Sequence, residues 1–140
     1  MKQKMIALAL TGVFACGTML TAAAAGIGYV NQQALMQAHP RMMKAQLTLK
    51  AETQKQQQKF DKEVVKLKDD NAKRDLYMKL QRELSEKEQE LIGPIMRDVQ
   101  KAIEKTRQEK GLDAILDRDA VVAGGQDVTV DVQKKFQVVT

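Results

Sequence analysis

Residues 77–103 read YMKLQRELSEKEQELIGPIMRDVQKAI, and the spacing of their apolar side chains decides the fold. From Tyr77 to Leu91 the seam positions recur at steps of three and four, which is the heptad pattern of paired helices. From Ile95 onward the steps are four, which predicts a wider apolar stripe against a globular base. Pro94 predicts a kink between the two parts. The seam positions are Tyr77, Leu80, Leu84, Lys87, Leu91, Ile95, Val99 and Ile103.

A second helix of the same kind precedes this one in the chain. Its apolar positions also follow steps of three and four at first, but beyond Leu49 the seam is polar and regains apolar residues only near its end. Asn31 is predicted to cap this helix, and Pro40 predicts a kink or a new helix start. The early seam consists of Leu35, Ala38, Met42, Ala45 and Leu49, and the late one of Phe60, Val64 and Leu67.

Residues 68–75 are polar and suit a turn between the two helices, with Asp75 as the cap of the second. Residues 32–110 therefore form an antiparallel helical hairpin with its tip near residues 68–75. Because each residue of a helix adds about 1.5 Å of length, the tip lies tens of ångströms from the base.

Short β-type segments flank the hairpin. Gly26–Val30 favours a strand, and Gly111 suits the left-handed position that ends a helix. Two further strands are predicted at Leu112–Leu116 and Ala120–Ala123, followed by a Gly124–Gly125 loop and a last helix capped by Thr129 that ends at Phe136. The sequence predicts an α+β fold in which residues 26–31 and 111–140 form a β-containing oligomerisation body.

The first 25 residues are predicted to be a secretory signal peptide. Lys2 and Lys4 precede an apolar run at Met5–Leu20, and the small residues that follow predict cleavage after Ala24 or Ala25. A membrane-anchoring helix is the alternative, but the run is shorter than a bilayer span and contains two glycines. Cys16 lies in a loosely lipobox-like context, so a lipid anchor at this cysteine is a second alternative. The chain is therefore predicted to be exported from the cytosol.

The composition disfavours a large core within one chain. Charged residues make up 29% and aromatic residues only 4% of the sequence, and the net charge is +5. A coiled coil, or an oligomer whose copies share one core, is therefore the expected way to stabilise a polar chain of this length. The predicted oligomerisation residues are the apolar members of the β-type segments, namely Ile27, Tyr29, Val30, Leu112, Ile115, Leu116, Val121 and Val122.

No group of residues has the pattern of a catalytic, cofactor-binding or metal site. His39 is the only histidine, and a lone histidine beside a proline is more often structural than catalytic. The carboxylates alternate with lysines, as they do on solvated helix faces. Gly124–Gly125 lacks the spacing and the lysine of a phosphate-binding loop. The sequence thus predicts a protein that is not an enzyme and carries no cofactor.

The charge distribution indicates a binding role for the hairpin. Residues 41–68 hold eight basic and three acidic residues, and such a stripe attracts acidic polypeptides, lipid phosphates or nucleic acid. Export and the scarcity of aromatic residues argue against nucleic acid. Scattered methionines, at positions 36, 42, 43, 78 and 96, add adaptable apolar contacts. The predicted client-binding residues are Lys50, Lys55, Lys59, Phe60, Lys62, Lys66, Tyr77 and Met78.

The sequence resembles the OmpH/Skp family of periplasmic chaperones. The resemblance covers the chain after the signal peptide and depends on the order of its elements. It is carried by Ile27–Asn31, by His39–Pro40 before a helix rich in lysine and glutamine, by Pro94–Ile95 with Glu109–Asp113 in the return helix, and by Ile115–Asp117, Ala120–Val122 and Asp127–Thr129.

The resemblance implies a jellyfish-shaped homotrimer. Strands of three chains would form its body, and three helical tentacles would surround a cavity that holds unfolded outer-membrane β-barrel proteins without ATP. The tentacles are short for the family. Contact with anionic lipid or lipopolysaccharide is a further expectation. The rival hypothesis is an envelope coiled-coil structural or adaptor protein, lipid-anchored at Cys16.

Overall fold

The computed structural model describes residues 26–136, so the predicted signal peptide and Cys16 lie outside the described residues. The fold is α+β: a long helical hairpin rises from a small three-stranded sheet. In chain order the elements are β1 (Ile27–Val30), α1 (Gln32–Ala38), α2 (Met42–Val64), α3 (Asp70–Glu109), β2 (Ala114–Asp117), a 3-10 turn (Arg118–Ala120), β3 (Gln126–Asp127) and α4 (Thr129–Phe136).

The sheet is parallel, with β1 between β2 and β3. Ile27 pairs with Ala114 and Val30 with Asp117, so the whole hairpin forms the crossover between two neighbouring strands. Gly28 lies where the sheet meets the return chain. A Cβ atom at this position would come within 2.8 Å of a Leu112 methyl group, so any larger residue would force the Leu112 side chain to shift.

The prediction of a strand at Ala120–Ala123 is wrong. The Asp117 side chain accepts a hydrogen bond from the Asp119 backbone N–H at 2.9 Å, and this contact starts a 3-10 turn that takes the chain off the sheet. Gly124 and Gly125, with φ of 77° and 86°, then direct the chain back to β1. The third strand is therefore Gln126–Asp127, which pairs with Gly28 and Tyr29.

The first helix breaks at the predicted proline. His39 has an extended backbone (φ −67°, ψ 130°), as expected for a residue before proline, and the helix restarts at Met42. The return helix passes through Pro94 without ending. Gly93 precedes this proline and has no Cβ to meet its ring, which reduces the cost of helical backbone there.

The tip of the hairpin is shorter and earlier than predicted. α2 ends at Val64 and α3 begins at Asp70, so residues 65–69 make the turn. The cap of α3 is Asp69 and not the predicted Asp75. The Asp69 carboxylate accepts a hydrogen bond from the Asn71 N–H at 3.1 Å.

The ends of the hairpin are fixed by local hydrogen bonds. The Asn31 side chain caps α1 by accepting from the Ala34 N–H at 2.9 Å, as predicted. Gly111 adopts φ 61° and ends α3 as predicted, because the Leu112 N–H reaches the Arg107 carbonyl and the Gly111 N–H reaches the Gln108 carbonyl.

The predicted cap of α4 is wrong. The residue that accepts from the Thr129 N–H and hydroxyl is Asp127, at 2.9 and 2.6 Å. The Thr129 hydroxyl instead accepts from the Asn31 N–H at 3.1 Å. Thr129 therefore joins the last helix to the start of the first, across almost the entire sequence.

The hydrophobic core lies at the base of the hairpin. It joins the sheet, the lower hairpin and α4, and its members are almost completely buried. They are Val30, Leu35, Met42, Ala45, Ile95, Val99, Ala102, Leu112, Val128, Val132 and Phe136.

Candidate functional site

The distal arm, defined as residues 46–91, is the part of the hairpin beyond the core. Leu80 is its only buried side chain, at 5% exposure. The base holds the two helices together through a contiguous apolar cluster, whereas the distal arm has only a narrow seam. A helix pair with so few buried apolar contacts opens more easily than the base does.

The centre of the distal arm is polar. Gln56 donates hydrogen bonds to Glu52 and Glu83, both at 3.2 Å, and Lys59 approaches Glu83 at 3.6 Å. The hydrogen bond from Gln56, followed by the charge of Lys59, lowers the pKa of Glu83. The Oε1 atom of Gln56 is buried without a hydrogen-bond partner among residues 26–136. This cluster holds the helices less firmly than apolar side chains of the same size would.

One aromatic pair joins the two helices of the distal arm near its tip. Phe60 and Tyr77 meet edge to face, with ring centroids 6.2 Å apart. Tyr77 is 51% exposed, so it lies at the edge of the predicted seam, and Leu76 beside it is half-buried. Met78, the next residue, is 58% exposed. Two aromatic rings and a methionine thus offer apolar surface to solvent beside the tip.

The structure does not gather the predicted client-binding lysines into one patch. Lys59 pairs with Glu83 across the hairpin, and Lys55 approaches Glu52 on its own helix at 3.7 Å. Lys50 and Lys62 are exposed at other points of α2, and Lys66 lies in the tip turn. These cations form a diffuse positive surface along the arm, which suits long-range attraction better than a fixed contact.

The predicted list missed several exposed apolar side chains. Met43 and Leu47 are 74% and 64% exposed on α2, Met96 is half-exposed on α3, and Val65 is exposed at the tip. Leu47 and Val65 are apolar residues that lie outside the seam spacing. This position in the sequence already indicates that they are exposed. Met42 and Met36, in contrast, belong to the core or pack against it, so they are ordinary structural methionines.

Of the eight predicted oligomerisation residues, Tyr29, Ile115 and Val121 are half-buried, and the other five divide into two groups. Ile27 and Leu116 are 49% and 40% exposed, and Val122 is fully exposed. Val30 and Leu112 are buried in the core of the single chain. The exposed residues can contact a neighbouring copy, whereas the buried residues pack beneath the strands within the single chain.

His39 occupies a structural position between the lower helices and α4. Its ring packs against Phe136 at a centroid distance of 5.1 Å, and its Nδ1 atom accepts from the Arg41 N–H at 3.3 Å. Burial, followed by the charge of Arg41, lowers the pKa of His39, although Asp98 at 3.6 Å opposes this shift. The geometry agrees with the prediction that His39 is structural.

Residues 26–136 contain no group of three or more histidine, cysteine or carboxylate side chains that could hold a metal ion. None of the helices between residues 26 and 136 is both long and apolar enough to cross a membrane.

The fold and the arm together define a class of protein: a small α+β body that carries a polar helical hairpin. The sequence model of the OmpH-like outer membrane protein family matches residues 66–136, half of the chain, and the chain belongs to this family. The family is one of periplasmic chaperones. A comparison with curated proteins finds no significant match.

Proposed function

We propose that this protein is a periplasmic holdase chaperone that binds unfolded outer-membrane β-barrel proteins after export, without ATP, and prevents their aggregation before membrane insertion. The observation that carries the proposal is the distal arm, with its polar centre, its exposed apolar side chains and its excess of cations. The proposal includes cleavage of the signal peptide after Ala24 or Ala25 and no enzymatic activity.

The physical properties of an unfolded barrel protein match those of the arm. Its strands expose alternating apolar residues and unpaired backbone groups, which promote aggregation. Phe60, Tyr77 and Met78 offer many weak apolar contacts, which hold such a chain without fixing one conformation. The lysines of α2 add attraction to acidic clients, and this attraction weakens as salt rises.

We also propose that the working form is a homotrimer. A three-stranded sheet with two open edges, and with Ile27, Leu116 and Val122 exposed, leaves apolar surface and backbone groups that another copy can cover. Three hairpins around one cavity would isolate a client from other unfolded chains. Contact with anionic lipid or lipopolysaccharide through the basic arm is part of this proposal.

The test is suppression of aggregation. A denatured outer-membrane β-barrel protein is diluted into buffer with the purified protein, without nucleotide, and light scattering is followed. We expect suppression at an equimolar ratio of trimer to client, with weaker capture at high salt. Unchanged scattering at that ratio would contradict the proposal.

An envelope structural or adaptor protein, lipid-anchored at Cys16, is the alternative. Mass spectrometry of the mature N-terminus separates the two, because an acylated Cys16 favours the anchored adaptor. A chain that begins at Ala25 or Gly26 favours the soluble chaperone.

A further inference from the structure

A cavity of about 700 Å³ lies at the base of the hairpin, away from the distal arm. Its walls come from three places in the chain: the break between α1 and α2, one face of α3, and the end of α4. Because these elements belong to the core of the protein, the cavity is preformed and does not depend on the opening of the arm. Its size is that of pockets which hold small organic ligands.

One side of the cavity is apolar. Phe136 and Ala102 are buried members of the core that reach its wall, and Pro40 adds its ring at the helix break. His39 packs on Phe136, and burial, together with Arg41, lowers the pKa of His39, which favours the uncharged ring. The apolar chain or ring of a ligand would pack against this side of the cavity and be removed from water.

The rim of the cavity is strongly basic. Among the described residues 26–136, five cationic side chains border it, against one carboxylate, that of Asp98. Arg41 already bonds Asp98, and Lys135 bonds Glu109. No carboxylate lies within salt-bridge distance of Lys101, Lys105 or Lys134 among residues 26–136. A concave surface lined by one sign of charge concentrates the opposite charge.

The lining lacks the groups that bind sugars and nucleotides. Among residues 26–136 the lining contains no serine, threonine, asparagine or glutamine side chain, so a ligand with many hydroxyl groups would leave them without neutral partners there. A ligand with one anionic head and an apolar body satisfies both sides of the cavity.

We propose that this cavity binds a small amphipathic carboxylate, with its apolar body on Phe136, Ala102 and Pro40 and its head among Lys101, Lys105 and Lys134. This site is independent of the proposed chaperone function, and it differs from the basic surface of the distal arm in having an apolar wall.

The test uses His39 as a reporter, because it is the only histidine of the chain and its ring forms part of the wall. Decanoate is titrated into the purified protein while the His39 ring proton resonances are followed by NMR. We expect a saturable shift and a higher pKa of His39 in the complex, because a bound carboxylate stabilises the imidazolium.

Two triple variants are compared, and each loses three positive charges. Replacing Lys101, Lys105 and Lys134 by glutamine should weaken decanoate binding about tenfold, as expected for the loss of three exposed ion pairs. Replacing Lys50, Lys55 and Lys62 of the arm by glutamine should leave the affinity unchanged. All six side chains are exposed, so both variants should retain the fold.

Four results would overturn the proposal. The first is a shift that does not saturate, and the second is equal weakening in the two triple variants. The third is an equal response to decyltrimethylammonium, which has the same chain and the opposite charge. Acetate, which has the head alone, should bind far more weakly, and equal affinity for acetate would remove the role of the apolar wall.

Discussion

Gly111 links the long helix to the sheet through its left-handed backbone conformation. Its N–H and that of Leu112 close the end of α3, and Arg107 supports the same junction by donating to the Leu112 carbonyl at 3.0 Å. Arg107 is held in turn by Glu104, and hydrogen bonds from Arg107 and then Gln108 lower the pKa of Glu104 to about 2. A few residues thus set the direction in which the chain enters β2.

Replacing Gly111 by alanine should lower the free energy of unfolding by about 1 kcal/mol. No atom lies within 4 Å of the added Cβ, so the whole cost comes from the backbone conformation at φ 61°. Gly111→Asn is the matched control, because asparagine tolerates this conformation and should cost less. Urea denaturation of the three proteins measures the order, and an alanine variant as stable as the parent would refute it.

His39 should make stability depend on pH just below neutrality. Its pKa is lower in the folded state than the ordinary value of 6.5, so the unfolded chain binds the proton first as pH falls. The contribution of His39 is therefore complete above pH 6.5 and is lost as the pH decreases toward the folded pKa.

The measurement is thermal unfolding of the parent and of His39→Gln between pH 7.5 and about pH 5, the range below the ordinary histidine pKa. We expect the parent to lose stability across this range and the variant to lose less. Asp98→Asn should steepen the loss in the parent background, because the charge of Asp98 raises the pKa of His39. Identical slopes in parent and His39→Gln would show that another group is responsible.

At the scale of the element, α2 and α3 each combine a firmly packed lower part with a loosely packed distal part. The lower part contributes Met42, Ala45, Ile95 and Val99 to the core, whereas the distal part is crossed by the polar cluster around Gln56. The sequence pattern predicted this division, because apolar residues at seam positions become sparse beyond Leu49.

Replacing Leu80 by alanine should loosen the distal arm without unfolding the base. Leu80 is the only buried side chain of the distal arm, and its truncation removes the most deeply buried apolar group between the two helices there. Hydrogen exchange measured by mass spectrometry should accelerate in residues 46–91 and remain slow in the core.

Ile95→Ala is the matched control for this experiment. It removes a side chain that is 1% exposed in the core, so it should cost about 2–5 kcal/mol and accelerate exchange throughout the chain. Global acceleration in both variants would mean that the arm and the base unfold as a single unit.

At the scale of the whole molecule, the sheet is too small to bury its own apolar residues. Leu116→Glu and Val122→Glu should convert the proposed trimer to a monomer, because each places a charge on a surface that another copy would cover. Light scattering coupled to size-exclusion chromatography measures the mass.

Met43→Glu is the control for the assembly experiment, since Met43 is 74% exposed on α2 and not on the sheet. It should leave the mass unchanged. A parent protein that is monomeric at micromolar concentration would contradict the trimer proposal, whatever the variants do.

The sequence by itself determined the helices, the break at Pro40, the end of α3 at Gly111 and the weakness of the distal seam. These features depend on side-chain periodicity, on proline and on glycine, all of which act over a few residues. Tyr77 contacts Phe60 across the hairpin but is 51% exposed, and its depth of burial could not be predicted from a pattern that Leu76 fits as well.

Only the tertiary structure decided the third strand, the role of Thr129 and the basic cavity. A strand of two residues carries no periodicity, and Gln126–Asp127 exists because β1 offers an edge to pair with. Asn31 and Thr129 lie 98 residues apart, so their hydrogen bond cannot be read from local pattern. Likewise, Arg41, Lys101 and Lys134 become neighbours of one cavity only when three distant elements fold onto the same core.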